Sequence, residues 1–285
     1  MNVILGASGQ VGGRIVQTLA DRNIPVRAVV RNRDSAFDSR VEVRYADLFD
    51  GGQVTAALAG GTTVFLITPE KPTSTDVIGE TRQILDTYRA AIHANGIRRV
   101  VGLSSMGAEL EGDTGNLKMS AMLEAAFDDL DVDRLFIRPA YYYSNWLGFL
   151  ESVQQEGVLP TFFPADLQID MASPMDVAAF VADRIVSDDA GKGKRVVTLP
   201  GPARYSSRDV AEAFSTVLKK PVVVQEIPRE AWKKSFLSAG FTEDAAVNMV
   251  AMTQAVVDGK TVAGKDGAVY RMPTTLELYI RSKLA

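Results

Sequence analysis

Glycines at every third position separate the first apolar run of the sequence from its first amphipathic run. Residues 2–5 have the length and composition of a buried strand, and residues 10–21 place their apolar side chains on one helical face. Gly6 and Gly9 lie between the two runs, and Gly12 lies near the start of the second run. Glycine weakens strands and helices, and it is favoured where a backbone bends sharply or approaches another group closely. The segment therefore predicts a tight turn from a strand into a helix.

The same alternation of patterns continues through the first half of the chain. Short runs rich in Val, Ile and Leu predict strands, and the segments between them keep helical spacing of their apolar residues. The predicted strands are 2–5, 25–30, 41–46, 62–68, 98–105 and 133–139, and the clearest predicted helices are 10–21, 74–94 and 117–130. Near-continuous apolar strands that alternate with helices are typical of a parallel sheet covered on both faces. We therefore predict an α/β fold with a doubly wound, Rossmann-type parallel sheet.

After residue 140 the alternation is less regular. A helix starting at Asp176 and a strand over 194–201 resume the earlier pattern, and Ser206 or Ser207 is expected to cap a helix that Pro221 ends. The remainder predicts helices with hydrophilic outer faces. We expect a Rossmann domain over 1–150, to which 172–200 is added, and a smaller C-terminal lobe formed by 151–171 and 201–285.

The composition excludes several kinds of site. The sequence has no Cys and one His, so disulfides, thiolate chemistry and multi-histidine metal sites are excluded, and we expect no metal. The net charge is −4 and the basic residues are scattered, which argues against nucleic acid or an anionic membrane as a partner. The apolar runs are shorter than a membrane span, and the first strand pattern begins almost at Met1, so we expect a cytoplasmic protein.

In the context of a strand followed by a helix, the glycine spacing is typical of dinucleotide-binding proteins. Gly6 permits the turn, Gly9 lets backbone N–H groups approach a pyrophosphate, and Gly12 lets the helix pack closely on the sheet. The helix N-terminus adds N–H donors and the positive end of the helix dipole. The predicted phosphate-binding segment, called the glycine elbow below, comprises Gly6, Ala7, Ser8, Gly9, Gln10, Val11 and Gly12. The alternative is a tight turn without a ligand.

Two arginines follow the second predicted strand, at the position that distinguishes NADH from NADPH. NAD sites usually have Asp or Glu there to bind the ribose hydroxyls, whereas this chain has Arg31 and Arg33. Guanidinium groups attract a 2′-phosphate and bind it in a bidentate manner. We therefore predict that NADPH is preferred. The alternative is a pair of solvated arginines, either of which has Asp34 as a nearby partner.

Residues after the next strands are expected to complete the cofactor groove, because ligands lie beyond the carboxyl ends of parallel strands. Asp47 is placed to accept a hydrogen bond from the adenine amino group, and Leu48 is placed to pack on the ring. Asp47 is also a candidate helix cap. The nicotinamide end is expected to be lined by Thr68, Pro69, Ser104 and Ser105. Serines after strands are often only turn formers, which is the alternative for the last two.

These segments together resemble the NmrA-like family of atypical short-chain dehydrogenases/reductases, and within it the NADPH-dependent quinone oxidoreductases that use no flavin. The similarity spans essentially the whole chain. It is carried, in family order, by GASGQVGG, VVRNRD, ADLFD, LSSMGA, FIRPAYYYSNW, PMDVAAF and PTTLELYI. The resemblance implies a Rossmann-type domain, a smaller C-terminal lobe and a substrate cleft between them, with NADPH as the cofactor and neither flavin nor metal.

The resemblance also implies that residues 138–145 border the nicotinamide and the cleft. In this segment Pro139, Ala140 and Tyr141 are expected to contact the cofactor. An aromatic wall suited to a flat ring would comprise Tyr141, Tyr142, Tyr143 and Trp146. The alternative for each of these aromatic residues is a hydrophobic seam between the lobes.

Two candidate catalytic residues follow from this comparison. Tyr142 lies in the aromatic segment, and Lys118 is a candidate for contact with the ribose or with a substrate oxygen. The larger superfamily transfers protons with a Tyr-x-x-x-Lys pair, which occurs here only as Tyr279 and Lys283. Because that pair lies at the end of the chain rather than after the fifth strand, we interpret it as a coincidence. His93, near the end of a long predicted helix, is expected to have a surface or capping role.

Two functions are consistent with these features. An enzyme would bind NADPH and transfer hydride to a quinone or another flat acceptor, which can take its proton from solvent. A regulatory protein would instead sense NADP(H) and act through a protein partner. The aromatic segment and the full-length resemblance favour the enzyme, whereas the missing proton-transfer pair favours the sensor. We expect an oxidoreductase that acts on a small flat molecule, as a monomer or homodimer.

Overall fold

Eight parallel strands form the central sheet in the part of the chain that the computed structural model describes, namely residues 1–32, 36–187 and 193–284. In chain order the strands are β1 (Asn2–Leu5), β2 (Val26–Val30), β3 (Glu42–Tyr45), β4 (Thr63–Ile67), β5 (Arg99–Leu103), β6 (Asp133–Pro139), β7 (Tyr141–Tyr142), β8 (Val158–Thr161), β9 (Ile169–Ala172), β10 (Lys194–Leu199), β11 (Arg204–Tyr205), β12 (Val223–Glu226) and β13 (Ala268–Val269). The central sheet has the order β13-β10-β6-β5-β4-β1-β2-β3, and each neighbouring pair is parallel. Two small sheets have the orders β11-β9-β7 and β12-β8.

Helices cover both faces of the central sheet. The α-helices of the described residues are α1 (Gln10–Asp21), α2 (Gly51–Leu58), α3 (Val77–Asn95), α4 (Leu117–Ala125), α5 (Leu150–Gln155), α6 (Pro174–Val186), α7 (Ser207–Leu218), α8 (Trp232–Ser238), α9 (Glu243–Val257) and α10 (Leu276–Leu284). The apolar side chains of α1 and α6 pack on one face, and those of α2, α3 and α4 pack on the other. The α/β fold with a doubly wound parallel sheet is therefore confirmed.

Alternation along β1 shows how the sequence supplies two buried faces. Ile4 packs in the layer of α1 and α6, whereas Val3 and Leu5 pack in the layer of α2 and α3. Successive side chains of a strand point to opposite faces, so a strand that is covered on both sides needs apolar residues at every position. This requirement explains why β1 shows no polar alternation.

The order of the strands reverses at β1. The chain runs from β1 outward to β2 and β3, and then returns to β4 on the other side of β1. Helices that leave β1 and β4 diverge to opposite faces, which leaves a crevice at the carboxyl ends of these two strands. The fold therefore offers a ligand site beside the glycine elbow.

Helix boundaries differ from the predictions by a few residues, and side-chain caps explain two of the differences. Helix α3 begins at Val77 rather than at 74, because the Asp76 side chain accepts a hydrogen bond from the N–H of Gly79. Helix α6 begins at Pro174 rather than at Asp176, with Ser173 as its cap. The cap at Ser206 is confirmed, and it forms a reciprocal capping box with Asp209.

The C-terminal elements form a second core of their own, which includes Tyr143, Trp146, Phe163 and Phe214. The 3-10 helix Tyr143–Phe149 leads the chain from the sheet into this core. The short strand β13 belongs to the central sheet, where it pairs with β10 and forms the edge. In the described ranges, none of the helices has the length and apolar character needed to cross a membrane.

Candidate functional site

The glycine elbow has the geometry that its spacing predicts. Gly6 lies in the left-handed region at φ +67°, and a Cβ atom there would come within 2.3 Å of Ile67 Cδ1. A Cβ atom on Gly12 would lie 2.4 Å from the carbonyl oxygen of Gly6, so α1 could not pack as closely with any other residue. The first turn of a helix has N–H groups without intrahelical partners. Because Ser8, Gly9 and Gln10 are exposed, this turn is open to a bound phosphate.

A groove of about 340 Å³ extends from the elbow along α1. Its lining includes Ala7 and Ser8 from the elbow and Phe37 and Asp38 from the loop after β2. Arg40 donates hydrogen bonds of 2.8 and 2.9 Å from its side chain to Asp38 and thereby lowers the pKa of that carboxyl well below its usual range. The carboxylate in the groove is thus already paired with a guanidinium group.

The residues expected at the adenosine end are only partly described. Arg31 is exposed immediately after β2 and is not among the residues that line the groove, while Arg33 lies outside the described residues. Asp47 is also exposed, and its carboxylate accepts a hydrogen bond from the N–H of Phe49 at 3.0 Å. The cap of α2 is Asp50, so the capping role considered for Asp47 is wrong. Leu48 is half-buried against the layer of α2 and α3.

A larger cleft, of about 510 Å³, lies at the carboxyl ends of β4, β5 and β6 and is called the central cleft below. Seven of the predicted site residues line it, namely Thr68, Ser104, Ser105, Pro139, Ala140, Tyr141 and Tyr142. Ile67 lines the cleft and also contacts the position of Gly6, which joins the cleft to the glycine elbow. Gln10 of the elbow donates a hydrogen bond of 3.0 Å to Ser144 Oγ in the aromatic segment. The elbow and the central cleft are therefore adjacent at the sheet edge.

Other predicted site residues lie outside the central cleft. Lys118 is exposed and lines a separate groove on the outer side of α4, whereas its helix neighbour Ser120 lines the cleft. Pro69 is half-buried between the cleft-lining residues Thr68 and Glu70 and is not itself part of the lining. The side of α4 that carries Lys118 is therefore opposite to the one that faces the cleft.

The aromatic segment divides between the cleft and the second core. Tyr141 and Tyr142 line the central cleft, while Tyr143 and Trp146 are fully buried in the C-terminal core. The ring of Tyr141 makes edge contacts with Trp146 and Phe163, at centroid distances of 5.8 and 5.4 Å. Burial raises the pKa of Tyr141 to about 12, although a hydrogen bond with Asn145 opposes the rise. The interpretation as a cleft wall thus applies to Tyr141 and Tyr142, and the interpretation as a hydrophobic seam applies to Tyr143 and Trp146.

Two buried polar atoms among the cleft-lining residues have no hydrogen-bond partner in the described part of the chain. They are the hydroxyl of Tyr142 and the Oδ1 atom of Asn116. Burial also raises the pKa of Tyr142 above its usual range. Nearly all buried polar atoms in proteins are paired, so such exceptions in a cleft are typical of groups that bind a ligand.

A cluster of charged side chains supports the floor of the central cleft. Arg138, which is 4% exposed, donates from Nε and Nη2 to the two carboxylate oxygens of Glu124 at 2.7 and 2.8 Å. Its Nη1 atom donates to Glu109 and Asp266, and Ser104 donates to Glu124 at 2.6 Å. Burial alone would lower the pKa of Arg138, but the three carboxylates more than offset it and raise the pKa. This floor cluster holds β5, β6 and α4 in a fixed arrangement.

No local sequence pattern predicted the residues that form the roof of the cleft. The roof contains Phe236 of α8 and Met249, Met252 and Val256 of α9, with Thr261 after them. Glu70 after β4 and Asp170 of β9 were also unpredicted. The Glu70 side chain is accessible from the cleft, yet the surrounding protein removes part of its hydration and raises the pKa of its carboxyl, while a hydrogen bond with Asn116 opposes the rise.

The Tyr-x-x-x-Lys pair and the single histidine lie outside the central cleft. Tyr279 is buried in the C-terminal core beside Tyr143, and Lys283 Nζ lies 5.6 Å from its ring centroid. Neither residue lines the central cleft. His93 is exposed in the last turn of α3. In the described ranges, His, Cys, Asp and Glu side chains form no group of three or more that could hold a metal ion.

Comparisons with known proteins agree with this geometry. The model of the NmrA-like family matches residues 2–280. The NAD(P)H azoreductase of Xenophilus azovorans is 22% identical over 250 residues, which cover 86% of this chain and 84% of that protein.

Two solved structures are similar over nearly their full length. The Citrobacter sp. triphenylmethane reductase complexed with NADP(H) has a TM-score of 0.79 and 23% identity and covers 99% of each chain. The NADPH-dependent quinone oxidoreductase of Escherichia coli complexed with NADPH has a TM-score of 0.73 and 22% identity and covers 100% of this chain and 99% of that one. At these identities the structures show a shared fold. Because the family model spans almost the whole sequence, the chain belongs to the NmrA-like family.

Proposed function

We propose that the protein is an NAD(P)H-dependent oxidoreductase that prefers NADPH and transfers hydride, without a flavin, to a quinone or another flat acceptor. The observation that carries the proposal is the adjacency of the glycine elbow and the central cleft, since Ile67, which lines the cleft, lies against the position of Gly6. A dinucleotide whose phosphates bind at the elbow would extend along the sheet edge into the cleft. The azoreductase, quinone oxidoreductase and triphenylmethane reductase similarities support the same class of reaction.

The residues around the elbow fit NADPH. The close approach of α1 to the elbow at Gly12 would allow the N–H groups of its first turn to bind the pyrophosphate. Arg31 at the end of β2 would bind the 2′-phosphate, and Arg33 would assist it. Thr68, Ser104 and the backbone of 139–141 would contact the nicotinamide end. The chemistry supplied by bound NADPH is hydride transfer from nicotinamide C4 to the acceptor, which takes a proton from water where its reduction requires one.

The protein's own contribution in the cleft is to hold the acceptor and to exclude water. Its apolar lining includes Phe162, Phe163 and Phe236, which present flat surfaces to a planar molecule. The floor cluster around Arg138 fixes Ser104 beneath this space, because Ser104 donates its hydroxyl proton to Glu124. Correct placement of two reactants accounts for a large part of the catalytic effect in such reactions.

The test is oxidation of NADPH by the purified protein in the presence of benzoquinones and naphthoquinones, followed by the loss of reduced-nicotinamide absorbance. Acceptor-dependent oxidation that saturates with both reactants is the expected result. Tight NADPH binding without turnover on any acceptor would contradict the enzymatic function.

A second candidate function is a regulatory protein that senses NADP(H) and acts through a protein partner. It is favoured by the positions of Lys118 and of the pair Tyr279 and Lys283, which all lie outside the central cleft. The same assay separates the two candidate functions, because a sensor binds the nucleotide without consuming it.

A further inference from the structure

The charged residues that line the central cleft are all acidic. Glu70, immediately after β4, and Asp170, in β9, both line it, and among the described cleft-lining residues none is Lys, Arg or His. Most of the remaining lining is apolar or aromatic. A molecule that enters this space therefore meets negative charge in a partly dehydrated environment, where charge interactions are stronger than in water.

The basic residues nearest to these carboxylates have other partners or lie at a distance. Lys71, next to Glu70, forms an ion pair with Glu80 at 3.2 Å and lies over the ring of Phe49. Arg138 below the cleft directs all three of its guanidinium nitrogens to carboxylates of the floor cluster. Arg204 Nε forms a long ion pair with Asp170 Oδ2 at 4.0 Å. Asp170 is thus partly compensated, whereas no ion pair of Glu70 with a basic side chain is found among the described residues.

Asn116 supplies an independent indication of what the cleft accepts. The residue is 7% exposed, its Nδ2 atom contacts Met249 Sδ at 3.3 Å, and its hydrogen bond with Glu70 uses the same amide as donor. The Oδ1 atom is left without a partner in the described part of the chain. Because an amide oxygen only accepts hydrogen bonds, this buried atom calls for an N–H or O–H donor on the ligand.

The aromatic lining of the cleft also favours a positively charged ligand. Phe162 and Phe236 stack with their ring centroids 4.7 Å apart, and both line the cleft together with Phe149 and Phe163. The faces of aromatic rings are electron-rich and attract cations. The four cleft-lining methionines, Met106, Met119, Met249 and Met252, adapt to flat ligands of different outline.

We propose that the central cleft selects positively charged aromatic acceptors, with Glu70 and Asp170 as the residues that determine this specificity. The inference rests on the proposed function, because it names the class of acceptor for the same cleft. A bound cation stabilises the ionised form of Glu70, while the stacked phenylalanines hold its ring system. Anionic aromatic molecules of equal size meet two carboxylates, of which only Asp170 has a basic partner, Arg204.

The test uses dyes that share one flat framework and differ in charge. These are the neutral p-dimethylaminoazobenzene, its cationic p′-trimethylammonium derivative and its anionic p′-sulfonate derivative. Their binding to the full chain is measured by equilibrium dialysis without nucleotide. We expect the cationic dye to bind about tenfold more tightly than the neutral one and the anionic dye to bind most weakly. Equal affinities, or tighter binding of the anionic dye, would overturn the proposal.

Two variants assign the effect to the carboxylates. Glu70→Gln and Asp170→Asn are each expected to weaken the cationic dye about tenfold and to leave the neutral dye unchanged, since each removes one charge and keeps the shape. The matched control is Glu111→Gln, an exposed carboxyl outside the cleft lining, which should change none of the three affinities. An unchanged preference for the cationic dye in both cleft variants would overturn the assignment.

This design separates the inference from the proposed function. Dye selectivity is measured without NADPH, and NADPH binding and turnover are measured separately on the same preparations. Loss of selectivity in a protein that still oxidises NADPH with a quinone counts against the charge preference alone. A selective protein that neither binds nor oxidises NADPH counts against the oxidoreductase function alone.

Discussion

Replacement of Gly12 by Ala tests whether the close contact between α1 and the glycine elbow positions the phosphate site. The new Cβ atom would lie 2.4 Å from the carbonyl oxygen of Gly6, 2.9 Å from the carbonyl carbon of Gly6 and 3.2 Å from Ala7 Cα. Contacts of this kind normally exceed about 3.4 Å, since closer approach is strongly repulsive, so α1 must move away from the elbow by about 1 Å. All three neighbouring atoms belong to the backbone, so no side-chain rotation can relieve the overlap.

The expected magnitude combines two opposing effects. Alanine within a helix is favoured over glycine by about 1 kcal/mol, whereas overpacking costs typically 1–3 kcal/mol. We expect Gly12→Ala to lower the free energy of unfolding by about 0–2 kcal/mol and to weaken NADPH binding at least about tenfold, because the N–H groups proposed to bind the pyrophosphate would be displaced. Urea unfolding and isothermal titration with NADPH measure the two quantities.

The matched control is Gly51→Ala in the first turn of α2. A Cβ atom there would meet only Thr87 Cγ2 at 3.9 Å, an ordinary contact. This variant should be as stable as the original chain or more stable by up to about 1 kcal/mol, with unchanged NADPH binding. If Gly12→Ala behaves in the same way as Gly51→Ala, the steric reasoning and the phosphate site built on it are refuted.

Three further predictions address other residues. Arg31→Asp should weaken NADPH at least about tenfold more than NADH in parallel titrations, since it replaces a phosphate-binding cation by an anion, and equal losses would contradict the assignment. Arg138→Met leaves the buried carboxylate of Glu124 without its ion pair and should cost about 3–5 kcal/mol in urea unfolding, whereas Arg208→Met, whose ion pair is exposed, should change the stability little. Tyr142→Phe removes a buried hydroxyl without a partner and should raise the free energy of unfolding by about 1 kcal/mol; destabilisation would show that the hydroxyl has a partner.

The placement of the aromatic segment shows how a single stretch of sequence serves two purposes. Tyr141 and Tyr142 lie in β7 and line the cleft, and the chain then turns into the 3-10 helix that carries Tyr143 and Trp146 into the C-terminal core. Gln10 reaches this segment through Ser144. The segment therefore anchors the C-terminal core beside the glycine elbow, so that movement of this core would alter the central cleft next to the elbow.

The sequence alone determined the sheet and the elbow. Strand and helix patterns repeat with periods that depend only on neighbouring residues, so the parallel sheet followed from the alternation of apolar runs with amphipathic ones. The elbow followed for a related reason, because only glycine combines the positive φ of Gly6 with the close approach at Gly12. These features depend only on residues close together in the chain, so they can be predicted from one sequence.

Only the tertiary structure decided the composition of the central cleft. Its roof comes from α8 and α9, more than a hundred residues beyond β4, and Arg138 meets Asp266 across 128 positions of sequence. Helical spacing shows that Lys118 and Ser120 point in different directions, but not which of the two faces the cleft. An amphipathic pattern specifies that a face is buried and leaves open which element covers it, because that partner is selected by packing across the whole fold.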